Sequence, residues 1–260
     1  MSHAHPDVQD RANHASYTGA DAVRHYPRLS HLHPAEKVLF DAYDADLRGR
    51  TVLDIGVGGG RTTGHLAPLA REYVGLDYSP ALAAATAARF PDLRIEEGDV
   101  RDLRRFDDAS FDAVIFSFNG LDYIGHDDRA IALREMRRVL REGGLLLLSS
   151  HNRDHLRFHL LPWQGRPRPG RSVLRSSYAA WRARANRRRL RAHEVIRPTW
   201  AVINDDAHDY SMLTYYVGAD ESRNQLRAAG FADIATFDLA GDAVERDDRA
   251  VWLYYTGRAA

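Results

Sequence analysis

A carboxylate stands inside a glycine turn at residues 52–61, which read Val-Leu-Asp-Ile-Gly-Val-Gly-Gly-Gly-Arg. Asp54 ends an apolar run, and Gly56, Gly58 and Gly60 follow it. Glycines let a chain turn sharply and bring its backbone close to a ligand, and ligands of open α/β sheets sit at the carboxyl ends of strands. A pyrophosphate calls for a bare helix N-terminus and the spacing G-x-G-x-x-G. Here Arg61 occupies the third glycine position, and Asp54 would repel a phosphate. The turn suits a positively charged nucleoside without phosphates. Two further acids close apolar runs downstream, Asp77 in Val-Gly-Leu-Asp-Tyr and Asp99 in Ile-Glu-Glu-Gly-Asp-Val. Asp77 lies where a carboxylate accepts hydrogen bonds from both ribose hydroxyls, with Tyr78 against the base. Asp99 is placed to accept an adenine amino group, with the Val100 amide facing the ring. Each of these acids alone reads equally as a turn or cap residue; their joint spacing favours a site.

Short apolar runs alternate with helical stretches from Thr51 to Asn152, the pattern of a parallel sheet covered on both faces. Strands are expected at 51–55, 73–76, 93–96, 111–117 and 145–149. Helices are expected at 61–70, after Ser79-Pro80 with an N-cap and an N1 proline, and at 127–141 with Gly143 as its stop. Residues 1 to about 16 read as a disordered arm. Residues 17–47 read as helical, broken at Pro27. A last helix from Asp220 to Ala229 and strands at 231–239 and 250–255 complete the α/β order. The expected organisation is an N-terminal arm and cap (1–50), a nucleoside-binding core (51–152), a basic insertion (153–214) and the C-terminal part of the core sheet (215–260).

The set Asp54-x-Gly-x-Gly-x-Gly60, Asp77, Gly98-Asp99, Phe111-Asp-Ala-Val-Ile115 and Arg138-Val-Leu-Arg-Glu-Gly-Gly144 resembles class I S-adenosylmethionine (SAM)-dependent methyltransferases. SAM fits the turn chemistry, since its methionine end carries an ammonium, its sulfur is a cation and it has no phosphate. The resemblance implies a Rossmann-like seven-stranded, mostly parallel sheet with an antiparallel final strand. It implies that Gly56 and the Ser117 carbonyl meet the methionine portion, Asp77 the ribose, and Asp99 and Val100 the adenine. The segment Phe116-Ser-Phe-Asn-Gly-Leu-Asp-Tyr123, which includes Phe118, resembles the fourth-strand region of small-molecule methyltransferases. It lacks the N/D-P-P-Y/F signature of many enzymes that methylate base or glutamine nitrogens.

Methyl transfer from a sulfonium needs alignment above all, and a base only where the nucleophile holds its proton. Ser150-His151-Asn152 follows the fifth strand, so His151 is the candidate base; a strand-end cap is the equal alternative. Tyr17 and Tyr26 are expected to fold over the cofactor. His31 and His33 have metal-like spacing without a third ligand, and no metal is expected.

Between Arg153 and Arg197 thirteen arginines face two acids, Asp154 and Glu194. This segment reads as an insertion with a Pro/Gly-rich stretch and then a helix over 172–192, most simply a lid over the substrate. Nucleic acid is a possible partner but not the favoured one. The remaining chain balances the charge, since 36 basic and 36 acidic residues give a net of +0. Bulk charge thus favours neither nucleic acid nor membrane. With no cysteine among 260 residues, thiolate nucleophiles, disulfides and Cys-ligated zinc are excluded. Met1–Asp10 has no apolar core of a signal peptide, and Leu145–Leu148 is far too short to span a bilayer, so a cytoplasmic protein is expected. The expectation is a SAM-dependent methyltransferase acting at oxygen or nitrogen of a small molecule. The alternatives are an RNA-directed enzyme and a non-catalytic SAM-fold scaffold. The oligomeric state is left open.

Overall fold

The computed structural model describes residues 6–18, 31–156 and 173–260. In chain order these form α1 (Pro6–Tyr17), α2 (Pro34–Ala42), α3 (Asp44–Leu47), β1 (Thr51–Ile55), α4 (Thr63–Leu66), β2 (Glu72–Asp77), α5 (Pro80–Arg89), β3 (Arg94–Glu97), β4 (Phe111–Phe116), α6 (His126–Val139) and β5 (Leu140–His151). They continue with α7 (Val173–Leu190), β6 (Val195–Ile196), β7 (Trp200–Ile203), β8 (Thr214–Val217), α8 (Ala219–Ala228), β9 (Phe231–Phe237) and β10 (Trp252–Ala259).

Seven strands make one sheet in the order β3-β2-β1-β4-β5-β10-β9. β10 alone runs antiparallel to its neighbours, between β5 and β9. Strand side chains alternate between faces, and the sequence loads both. Leu53, Val74, Leu76, Val114, Phe116, Leu146 and Leu148 pack with Leu133 and Met136 of α6 and Leu226 of α8. Val52, Tyr73, Ala113, Ile115, Leu145 and Leu147 pack with Ala35, Leu39 and Phe40 of α2. A strand apolar at every position is the expected product of a sheet buried on both sides.

This is the Rossmann-like architecture the sequence implies, with differences that have physical causes. α4 is one turn long, not ten residues, because the glycine turn and its satellite turns consume the chain on either side. α6 ends at Val139 and the chain passes directly into β5. Gly143 therefore stops no helix; it takes φ +72° inside β5, where the β4–β5 register shifts. The expected disordered arm is a helix. α1 buries Gln9, Ala12 and Asn13, and Ala12 packs with Leu190, Val202, Leu213 and Tyr215.

The insertion holds the expected helix, α7, and also an unexpected three-stranded antiparallel sheet, β6-β7-β8. Tyr215, read as the return to the core sheet, belongs to this small sheet. β8 touches the end of the main sheet through a bridge between Asn152 and Val217. Among the described residues no helix is long and apolar enough to cross a membrane.

Candidate functional site

The glycine turn is built from left-handed backbone. Gly56, Gly58 and Gly60 have φ of +68°, +57° and +81°, a region costly for residues with a Cβ. A Cβ on Gly56 would stand 2.8 Å from the Phe116 ring. Asp54, delivered by β1, is almost wholly buried. Thr62 Oγ1 and Tyr73 Oη each donate to its Oδ2 at 2.7 Å. Asp77, at the end of β2, accepts the Gly58 N–H on Oδ2 at 2.7 Å and the Ser79 N–H on Oδ1 at 2.8 Å. It thereby ties the second strand to the turn after the first. Burial pushes both carboxyls up to about 6, against the opposing pull of these hydrogen bonds.

The three aspartates share one crevice. Asp54, Gly56 and Gly58, then Asp77 and Tyr78, then Asp99 and Val100 all line it. Ser117 and Phe118 after β4 line it too, as does Tyr17 of α1. The cleft encloses about 1080 Å³ including its open mouth, compared with roughly 300–1,000 Å³ for small-molecule sites.

Two of the expected site residues take other places. Gly60 does not line the cleft; its missing side chain makes room for Phe90, whose ring would lie 2.6 Å from a Cβ. His151 does not line the cleft itself; it sits next to Tyr123, which does, held by Asp122 and flanked by Tyr216 and Trp252. Tyr26 lies outside the described residues. Asp99 is in place but engaged. The Arg101 fork grips it, Nη2 to Oδ2 at 2.5 Å and Nε to both oxygens at 3.0 Å. Arg101 also reaches Asp128 at 2.7 Å and Asp10 at 3.3 Å.

Sequence reasoning missed an ionic cluster on the Arg61 and Ser117 side of this cleft. Glu36 of α2 is fully buried. It accepts Arg61 Nη2 at 2.6 Å and is also bonded by Arg61 Nη1, by the Ser117 hydroxyl and by the His33 N–H at 2.8 Å. Burial alone would raise the Glu36 carboxyl, but the Arg61 hydrogen bonds and charge, with Ser117 and His33, hold it below the usual range. The Arg61 guanidinium lies 4.9 Å above the Phe118 ring. The only sequence trace of this cluster is Glu36 at the third position of α2, where it reaches back to the His33 N–H as a helix-start device. Phe118 and Asn119 both take left-handed φ, +61° and +62°. Such strain in non-glycine residues concentrates at functional sites.

The profile of a family described as a methyltransferase domain matches residues 52–144. That span begins in β1 and closes at Gly144 in β5, so it contains all three strand-end aspartates. Residues 52–144 are therefore similar to a methyltransferase domain. A probable SAM-dependent methyltransferase of Mycolicibacterium smegmatis is 39% identical over 105 residues, 40% of this chain and 39% of its own length. A ubiquinone biosynthesis O-methyltransferase of Xanthomonas oryzae is 32% identical over 137 residues, 50% of this chain and 55% of its own. The chain thus spans about half or less of the length of these relatives. A SAM-dependent methyltransferase of Clostridium acetobutylicum superposes with a TM-score of 0.58 at 13% identity, covering 86% of this chain and 90% of that one; at that identity the likeness concerns the fold.

Members of this family take their methyl group from SAM, and the donor set in the cleft fits it. Carboxylates are present for a cation and a ribose diol. Among the described residues that line the cleft, the one guanidinium is Arg61, and it is engaged by Glu36 instead of being poised for a pyrophosphate.

Proposed function

We propose that the protein transfers the methyl group of SAM to oxygen or nitrogen of a small molecule. The observation that carries this is the convergence of Asp54, Asp77 and Asp99 on one cleft lined by a left-handed glycine turn. In this reading Asp77 accepts the ribose hydroxyls, Gly56 and the Ser117 carbonyl meet the methionine portion, and Asp54 offsets its ammonium. Tyr78 and Val100 flank the adenine. The Arg101 fork orients Asp99 and holds Asp128 and Asp10 beside it, so the adenine end stays net acidic around the incoming base. Tyr17 and α1 exclude water.

The ubiquinone-pathway relative and the absence of the N/D-P-P-Y/F signature support a small acceptor. Alignment of nucleophile, methyl and sulfur supplies most of the rate in such a displacement, and the rigid β4–turn wall with its strained Phe118 provides that alignment. Calorimetric titration with SAM tests the reading. The wild-type chain should bind. Asp77→Ala should bind roughly 10–100-fold more weakly, the equivalent of one charge-assisted pair of hydrogen bonds, with its circular dichroism unchanged. Equal affinity of the two proteins would contradict the ribose assignment.

A further inference from the structure

We propose that Asp122 is a positioning residue that fixes His151 as the general base, and that the acceptor is a planar ring bearing a hydroxyl. This rests on the methyl-transfer reading above and narrows it to one acceptor class.

Asp122 lies in the 3-10 turn Gly120–Tyr123 and is fully buried. Four donors point at its carboxylate. Arg129 Nη1 (2.7 Å) and Ser150 Oγ (2.5 Å) reach Oδ1. The His151 N–H (2.6 Å) and Nδ1 (2.8 Å) reach Oδ2. With every acceptor position of Asp122 facing a donor, Nδ1 is the ring nitrogen that donates to it, which leaves Nε2 as the nitrogen turned to an acceptor. Nε2 has no partner among the described residues. Arg129 already neutralises Asp122, and it is itself anchored by Gln225 at 3.0 Å and by Ser150 at 3.1 Å. The histidine is therefore not needed to satisfy the carboxylate. What the arrangement adds is an imidazole of fixed tautomer and fixed plane.

Its surroundings are rings. Tyr216 of β8 lies 5.1 Å from His151, Tyr123 6.2 Å and Trp252 of β10 6.5 Å, centroid to centroid. Trp252 is 6.1 Å from Phe118, and Phe118 and Tyr123 both line the cleft. Phe116 of β4 pairs with Leu148 of β5. His151 therefore stands three residues past that level, roughly 10 Å further along the strand, beside the turn that closes the cleft. The other charged or titratable groups around it are Tyr216 with its bonded Asp205, and His33 across Trp252. The two carboxylates nearest these rings are already bonded, Asp122 by Arg129 and Asp205 by Tyr216. Flat aromatic walls hold a planar ring.

A ring hydroxyl has acidity near that of tyrosine, about 10, within reach of an imidazole base. In the step, the hydroxyl proton moves to His151 Nε2, the oxygen forms a bond to the methyl carbon, and the carbon–sulfur bond breaks with its electron pair left on sulfur. The products are the methyl ether, S-adenosylhomocysteine and an imidazolium balanced by Asp122, which then loses its proton to solvent.

The test uses the full chain with SAM and two acceptors: catechol, and 4-nitrocatechol, which is already ionised at the assay pH. His151→Gln should lower kcat on catechol by about 10²–10⁴ while KM changes less than about threefold. On 4-nitrocatechol the loss should stay under about tenfold, because no proton needs removing. Asp122→Asn, where it folds, should lower kcat on catechol while the rate on 4-nitrocatechol stays within about tenfold; His151→Gln stands as the test without it. Equal losses on both acceptors, or full activity of His151→Gln on catechol, would overturn the base assignment. SAM binding by calorimetry with neither acceptor methylated would overturn the acceptor class. Absence of SAM binding would sink the methyl-transfer reading first, and this inference with it.

Discussion

At the residue scale, two carboxylates make the site sensitive to pH. Burial lifts Asp54 and Asp77 from 3.8 to about 6. For an acid whose folded value is raised, the protonated form favours the folded state. The two groups therefore stabilise the unliganded protein most below pH 4, and that contribution is lost as pH rises through 6. SAM requires the opposite state, because a carboxylate accepts two ribose hydroxyls and offsets an ammonium only when ionised. Binding near pH 6 should thus expel about one proton in total, half from each group, and close to none at pH 8. Calorimetry in two buffers of different ionisation enthalpy measures this directly. SAM affinity should weaken as pH falls below 6; an affinity flat from pH 5 to 8 would show that neither carboxylate meets the ligand.

At the element scale, the Glu36–Arg61–Ser117 cluster joins α2 to the glycine turn and to the end of β4. Glu36 and Arg61 are 0% and 9% exposed at their side chains, so removing one leaves a buried charge uncompensated. Glu36→Ala should cost about 3–5 kcal/mol, a fall in Tm on the order of 10 °C for a chain of this size. Glu36→Ala with Arg61→Met should recover much of it, since the stranded guanidinium is gone; thermal melts of the three variants decide. A double variant no more stable than Glu36→Ala would mean that the pair contributes through packing and not charge.

The same cluster shows where sequence reading reaches its limit. Strands apolar at every position, the glycine turn and the proline-started α5 are local signals, and each lies where expected to within two residues, except that β5 begins five residues early, at Leu140. Glu36 meets Ser117 across 81 residues and Arg61 across 25, a pairing no local pattern announces. α1 is equally illegible. Its polar run, Pro-Asp-Val-Gln-Asp-Arg-Ala-Asn-His-Ala-Ser-Tyr, has no wide apolar stripe, because two of its buried contacts are made by amides. The small sheet β6–β8 hides for a related reason: its strands are two to four residues long, below the length at which alternation is visible, within a stretch whose arginines dominate the reading.

At the scale of the whole molecule, α1 is the element beside the cleft that is bonded to the segment before β8. Asp10, Asn13 and Tyr17 line the cleft, whereas no described residue from 173 to 217 does. Asn13 donates to the carbonyls of Tyr123 (2.7 Å) and Leu213 (2.8 Å) and accepts the Leu213 N–H at 2.9 Å. Gln9 adds bonds to the carbonyls of Ile124 and Leu213, and Ser16 meets Ser211 at 2.8 Å. The helix is thus stitched to the turn after β4 on one side and to the strand leading into β8 on the other. Asn13→Ala leaves the buried Leu213 N–H without its partner, at a cost of roughly 1–3 kcal/mol, and nothing in the core sheet depends on it. Hydrogen exchange should therefore speed up by about 5–100-fold at the amides of α1 while β1, β4 and β5 keep their protection, and SAM should dissociate faster with its association rate little changed. Faster exchange throughout the core sheet would make α1 part of one cooperative unit with it, and unchanged exchange in α1 would mean that Asn13 does not hold the helix.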